Sequence, residues 1–213
     1  MNTTSKPSTF RRLAGASACG FFIFAATACF AQRKPSDAFV ALTDRANKEF
    51  LAKDFVASEK DYRELLKMDS SNVHANLYLG HSLYRQKKYL EAVGPYEKAQ
   101  ALGGSKMTLR ENRILTDQIV MSYGIGGQLK KASVVLDTAI KKDPEYPLNY
   151  YNRACTLAEE GDKGKMLVAL RQAFEHKQNI LEGEKMPDPR KDSSFKKFVA
   201  DPEFVALMDR VYR

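Results

Sequence analysis

From Asp37 onwards the apolar residues recur at three- and four-residue spacing, interrupted by short polar breaks, and no segment alternates as a strand does. Leu79, Leu83 and Tyr84 mark one predicted helix, and Tyr89, Ala92, Val93, Tyr96 and Ala99 mark the next. The pattern then repeats. A shift of 34 residues places Ala46 on Gly80, Lys53 on Lys87, Phe55 on Tyr89, Ser58 on Ala92, Tyr62 on Tyr96, Leu65 on Ala99 and Met68 on Leu102. Ala92 and Ala99 reappear 40 residues later as Ala132 and Ala139, so six extra residues have entered around 102–108. Within them, Gly103-Gly104-Ser105 reads as a turn and the start of a helix. From Ala139 to Ala173 the step is again 34, with Gly127 on Gly161 and Leu136 on Leu170.

Each unit reads as two helices and a turn, which predicts an all-α solenoid of about four units, at about 37–72, 73–106, 113–146 and 147–180. The small residues have a geometric cause. Where helices cross at about 8–10 Å, a bulky side chain at Gly80, Ala92 or Ala99 would hold the backbones apart, and Tyr96 supplies the volume they leave. Asp69-Ser70 and Asp143-Pro144 end the second helices of the first and third units.

The segments ANLYLGHSLYRQKKYLEAVGPYEKAQAL (Ala75 to Leu102), GGQLKKASVVLDTAIKKDP (Gly126 to Pro144) and YNRACTLAEEGDKGKMLVALRQAF (Tyr151 to Phe174) resemble the tetratricopeptide repeat (TPR) family over about Asp37 to His176. Ser58 and Met166 depart from it, standing where the family prefers Ala, and Gly104 stands where Pro is expected. Residues 177–213 are similar to the tail of bacterial TPR proteins with a DPxF helix, here Asp201-Pro202-Glu203-Phe204. Asp as N-cap, Pro in the first turn and an acid near the helix dipole give that start a physical basis. The tail is expected to cap the last unit, burying Phe195, Phe198, Phe204 and Leu207.

The resemblance implies a non-enzymatic scaffold that binds a protein or peptide segment in a groove lined by the first helices. The implied groove positions are Val40, Thr43, Asn47 and Phe50; His74, Leu77, His81 and Tyr84; Ile114, Asp117, Met121 and Gly124; and Leu148, Tyr151, Cys155 and Ala158. Family members that clamp a carboxylate terminus use lysine, asparagine and further basic groups. Only Asn47 matches, with Thr43, Ile114 and Gln118 replacing the cations, so apolar contacts with an extended or helical peptide are expected instead.

Composition narrows the class further. With 213 residues, 44% hydrophobic and 28% charged, the composition argues against wholesale disorder and a multi-span membrane protein. Leu13 to Gln32 carries no charge and follows Arg11-Arg12, which predicts a signal peptide over 1–31, cleaved after Ala31, with 32–36 as a short linker. A retained anchor is the alternative. Ala26-Thr27-Ala28-Cys29 resembles a lipobox, which would lipidate Cys29 and make the chain a membrane-tethered envelope lipoprotein organising an assembly. Each reading places the protein outside the cytoplasm, periplasmic or secreted, and leaves Cys155 without an intramolecular disulfide partner.

Little catalytic chemistry is legible. His74 and His81 lie seven apart, not the four that suits two ligands on one helix, and read as a solvated groove pair. Gly124-Ile125-Gly126-Gly127 sits at a turn between helices, lacking the preceding strand of a phosphate loop. Cys155 could be a nucleophile only with a base beside it, and reads as a buried thiol. An enzyme built on Cys155 and the histidines is the least favoured reading; no cofactor or metal is expected. Lys87-Lys88, Lys130-Lys131, Lys141-Lys142 and Lys196-Lys197 read as helix ends and exposed faces, and no stripe concentrated on one helix points to nucleic acid.

Overall fold

A computed structural model describes residues 36–212 and shows nine α-helices and no strand among them. Eight form antiparallel pairs: α1 (Asp37–Leu51) with α2 (Phe55–Met68), α3 (Val73–Arg85) with α4 (Tyr89–Gly103), α5 (Leu109–Ile125) with α6 (Leu129–Lys142), and α7 (Pro147–Glu160) with α8 (Lys163–Glu175). The ninth, α9 (Pro202–Val211), closes the chain. Each second helix also packs on the next pair's first helix, so the pairs stack into a continuous solenoid.

Side-chain caps set the helix starts. Ser36, Asp54, Asn72 and Asp162 each accept a hydrogen bond from the backbone N–H three residues on. Within the pairs, the turns share one device: Lys53, Lys87, Gly127 and Gly161, in phase with the repeat, hold φ of 64°, 65°, 77° and 82°. A single left-handed residue reverses the chain in every unit.

Packing follows the small-and-large pattern. Ala46, Ala92 and Ala132 are fully buried, as are Tyr62 and Tyr96, and Gly80 leaves room for the Tyr96 ring: a Cβ there would lie 2.5 Å from it. Ser58 replaces the expected alanine because its hydroxyl meets the Ser82 hydroxyl at 3.0 Å, a buried pair that satisfies both groups. Met166 fills the same place in the fourth unit, fully buried.

The insertion corrects one sequence expectation. Gly103-Gly104-Ser105 does not start a helix: α4 ends at Gly103, a short 3-10 turn covers Gly104–Lys106, and Thr108 starts α5. Glu111 N–H donates to Thr108 Oγ1 at 3.2 Å and Thr108 N–H to Glu111 Oε2 at 2.7 Å, a reciprocal cap stronger than the glycine signal. Pro95 lies inside α4, where it removes one i to i−4 hydrogen bond.

After α8 the chain turns back along α7. Tyr146 OH donates to Glu184 at 2.8 Å, Tyr151 OH to Asp192 at 3.0 Å, and Lys163 Nζ to Asp201 at 3.0 Å, so residues 184–201 run beside α7 in its own direction. Helix α9 then packs on α8. Phe195, Phe204 and Leu207 are buried and Phe198 is half-buried. A tail with one short 3-10 turn, Ser193–Phe195, thus covers α7, and α9 covers α8, where a further unit would otherwise stack. At the start of α9, Asp201 accepts from Glu203 and Phe204 N–H, with Pro202 in the first turn.

Candidate functional site

The first helices of the units, α1, α3, α5 and α7, lie side by side, and the structure divides the expected groove residues into three groups. One group is tied into its own unit. Tyr62 OH donates to Asn47 Oδ1 at 2.6 Å, and one period later His81 Nδ1 meets Tyr96 OH at 2.8 Å. Both tyrosines are fully buried, so their hydroxyls need partners, and these two groove positions supply them. In the third and fourth units Leu136 and Leu170 replace the tyrosines, and Met121 and Cys155 replace the polar partners. Asn47 therefore serves the repeat itself, whatever else it touches.

The second group joins neighbouring units. Asn152 Nδ2 donates to Asp117 Oδ1 at 2.5 Å, and Met121 is buried in the cluster built around α7. Residues 151 and 155 lie one period after 117 and 121, and the tail covers them as α7 covers their counterparts. The Asp192 carboxylate accepts from Tyr151 and lies 3.9 Å from Cys155 Sγ, while Phe195 meets Tyr151 edge-on at 5.8 Å. Met121 and Tyr151 are consequently 6% and 0% exposed, and Leu148, Cys155 and Ala158 are buried beside them. Gly124 is buried as well, so the expected groove does not extend over the fourth unit.

The third group remains half-exposed. Phe50, His74, Leu77 and Tyr84, with Thr43, Ile114 and Gln118, form a surface across the first three units, and Val40 is exposed at its outer end. Its centre is Tyr78. This ring lies 4.4 Å from His74, 5.2 Å from Phe50 and 5.6 Å from His81, and stacks on Tyr62 at 5.7 Å. The sequence reading missed Tyr78, although its position four after His74 and three before His81 places all three on one helix face.

The histidines are not a solvated pair. Packing among Phe50, Tyr78 and Tyr96 pushes His81 down to about 4, mainly through burial and secondarily through the Arg85 and His74 charges; burial also lowers His74. Among the described residues no group of three His, Cys, Asp or Glu side chains could hold a metal ion. Gly124 to Gly127 forms the α5–α6 turn that every unit has. Cys29 and the proposed leader lie outside the described residues, among which no helix is long and apolar enough to cross a membrane.

No known protein family matches the chain as a sequence, and no curated protein does. Solved structures match its fold. A MamA protein is 18% identical with a TM-score of 0.61, covering 81% of this chain and 89% of its own. MamA from Desulfovibrio magneticus RS-1 is 14% identical with a TM-score of 0.58, covering 82% and 95%. YrrB, described as a TPR protein with an unusual peptide-binding site, is 18% identical with a TM-score of 0.56, covering 81% and 84%. The described chain has the fold of a tetratricopeptide repeat solenoid.

Proposed function

We propose that the protein is a non-enzymatic scaffold that binds a peptide or protein segment across the first helices of its first three units. The observation that carries this reading is the half-exposed apolar and aromatic surface of Phe50, His74, Leu77, Tyr78 and Tyr84, which ends where the tail closes the fourth unit. Such a surface suits an extended or helical segment recognised by apolar contacts, and YrrB offers a precedent for peptide binding on this fold. The uncharged run behind Arg11-Arg12 supports action outside the cytoplasm.

The test is a pull-down from the envelope fraction with the wild type and with Leu77→Lys and Tyr84→Asp, after circular dichroism has shown native helix content. A partner captured by the wild type and lost by both variants is the expected result. Capture that neither change alters would overturn the groove.

A further inference from the structure

We propose that the edge of the solenoid formed by the within-unit turns of the first three units is a docking surface for an anionic lipid bilayer. The sequence disperses its cations, none of them concentrated on one helix, and the fold gathers them. Lys53 follows α1, Arg85 ends α3, Lys87 and Lys88 lie between α3 and α4, and Lys130 and Lys131 open α6. The three turns are neighbours in space. Gln86 Nε2 donates to Phe55 O at 2.9 Å and to Glu59 at 2.8 Å, joining the first two, and the Leu90 side chain lies where a Cβ on Gly126 would be, joining the second to the third.

Acids at this edge are mostly engaged. Glu49, in the last turn of α1, lies 4.0 Å from Arg45, Asp54 caps α2, Glu59 is held by Lys88, Arg63 and Gln86, and Glu91 is exposed 4.0 Å from Arg63. Among the described residues no ion pair engages Lys53, Lys87 or Lys130. In the fourth unit Gly161 and Gly164 stand in place of the turn lysines, Lys165, which matches Lys131, pairs with Asp162, and the neighbouring Lys163 pairs with Asp201 and Glu203, so the basic surface stops there. The opposite edge intersperses Asp69, Glu111, Glu145, Glu182 and Glu184 among its lysines.

Apolar side chains stand among the cations. Leu51, Val56 and Leu90 are 53%, 66% and 43% exposed beside Lys53, Lys87 and Lys88. Lysines around protruding aliphatic side chains complement a bilayer, whose anionic headgroups attract the charge while its acyl boundary accepts the apolar groups. A purely basic ridge would favour nucleic acid; the exposed leucines and valine favour lipid.

The chain has no tryptophan, which makes a single one a clean reporter. Val56→Trp on this edge and Ser105→Trp on the opposite edge, both in the full chain, are mixed with vesicles of phosphatidylglycerol and phosphatidylcholine or of phosphatidylcholine alone. The expected result is a blue shift and bromolipid quenching for Val56→Trp only, and only with the anionic vesicles. Lys53→Glu, Lys87→Glu and Lys130→Glu together should weaken the response more than about tenfold, with helix content unchanged. Salt should weaken it too, since screening acts within about 10 Å at 0.1 M. The proposal is overturned by an unshifted Val56→Trp, by an equal response from neutral vesicles or from the triple variant, or by a shift that only RNA produces. The groove variant Leu77→Lys, ten residues before Lys87 in the chain, leaves this readout unchanged, so failure here is distinguishable from failure of peptide binding.

Discussion

Lys53 and Lys87 occupy left-handed turns, with φ near 64° and 65°, where the third and fourth units place glycine. A Cβ in that region costs about 1–2 kcal/mol, part of which glycine returns through a freer unfolded chain. Lys53→Gly and Lys87→Gly should therefore each raise stability by about 0.5–1 kcal/mol, read from urea midpoints at an unchanged m-value. His81 makes a second residue-scale prediction. Its folded value of about 4 lies below the ordinary 6.5, so between the two the unfolded chain binds more protons. That contribution is fully present above about pH 6.5 and is lost as pH falls toward about 4. His81→Asn, the side chain that Asn47 presents to Tyr62, should flatten the pH dependence of urea unfolding between about pH 4.5 and 7.5.

At the scale of the helix pair, the close approach of α3 and α4 depends on Gly80 beneath the Tyr96 ring. A methyl at 2.5 Å from that ring must displace it, so Gly80→Ala should cost about 1–3 kcal/mol by overpacking. Tyr96→Ala removes the ring instead and should cost about 3–5 kcal/mol as a cavity. Thermal unfolding of the two variants and their double mutant separates these effects: because both act on one contact, the double mutant should lose less than the sum. Near-wild-type melting of both single variants would contradict the packing described. The pair of Gly80 and Tyr96 was legible in the sequence, because bulk and its absence recur in phase. Thr108 was legible too, as the start of a Thr-x-x-Glu capping box, but two adjacent glycines upstream carried the louder local signal.

For the whole molecule, the tail decides where the accessible surface ends. Cys155 is 1% exposed beneath Asp192 and the chain that leads to Phe195. Phe195→Ala should cost about 3–5 kcal/mol and should make Cys155 react with iodoacetamide in the otherwise helical protein, as read by mass of the peptide that contains it. A Cys155 that stays unreactive when Phe195 is removed would mean that the tail is not what covers it. The expected groove positions at Met121 and Tyr151 were carried over from the family resemblance, and a shared repeat register does not tell an open position from one facing the next unit. Asn47 and Asp117 stay half-exposed but are also tied to Tyr62 and Asn152, because a polar residue at a groove position is equally a partner for a buried hydroxyl or amide.

By itself the sequence determined the all-helical stack, its period and its inserted segment, because nesting neighbouring hairpins demands small and large side chains in step, and that demand is local enough to be written along the chain. Tertiary structure alone decided which of the in-phase positions reach solvent. It also gathered the lysines of three turns on one edge and laid residues 184–201 beside α7. These depend on segments far apart in the chain meeting in space, and no periodicity records which surfaces another segment will cover.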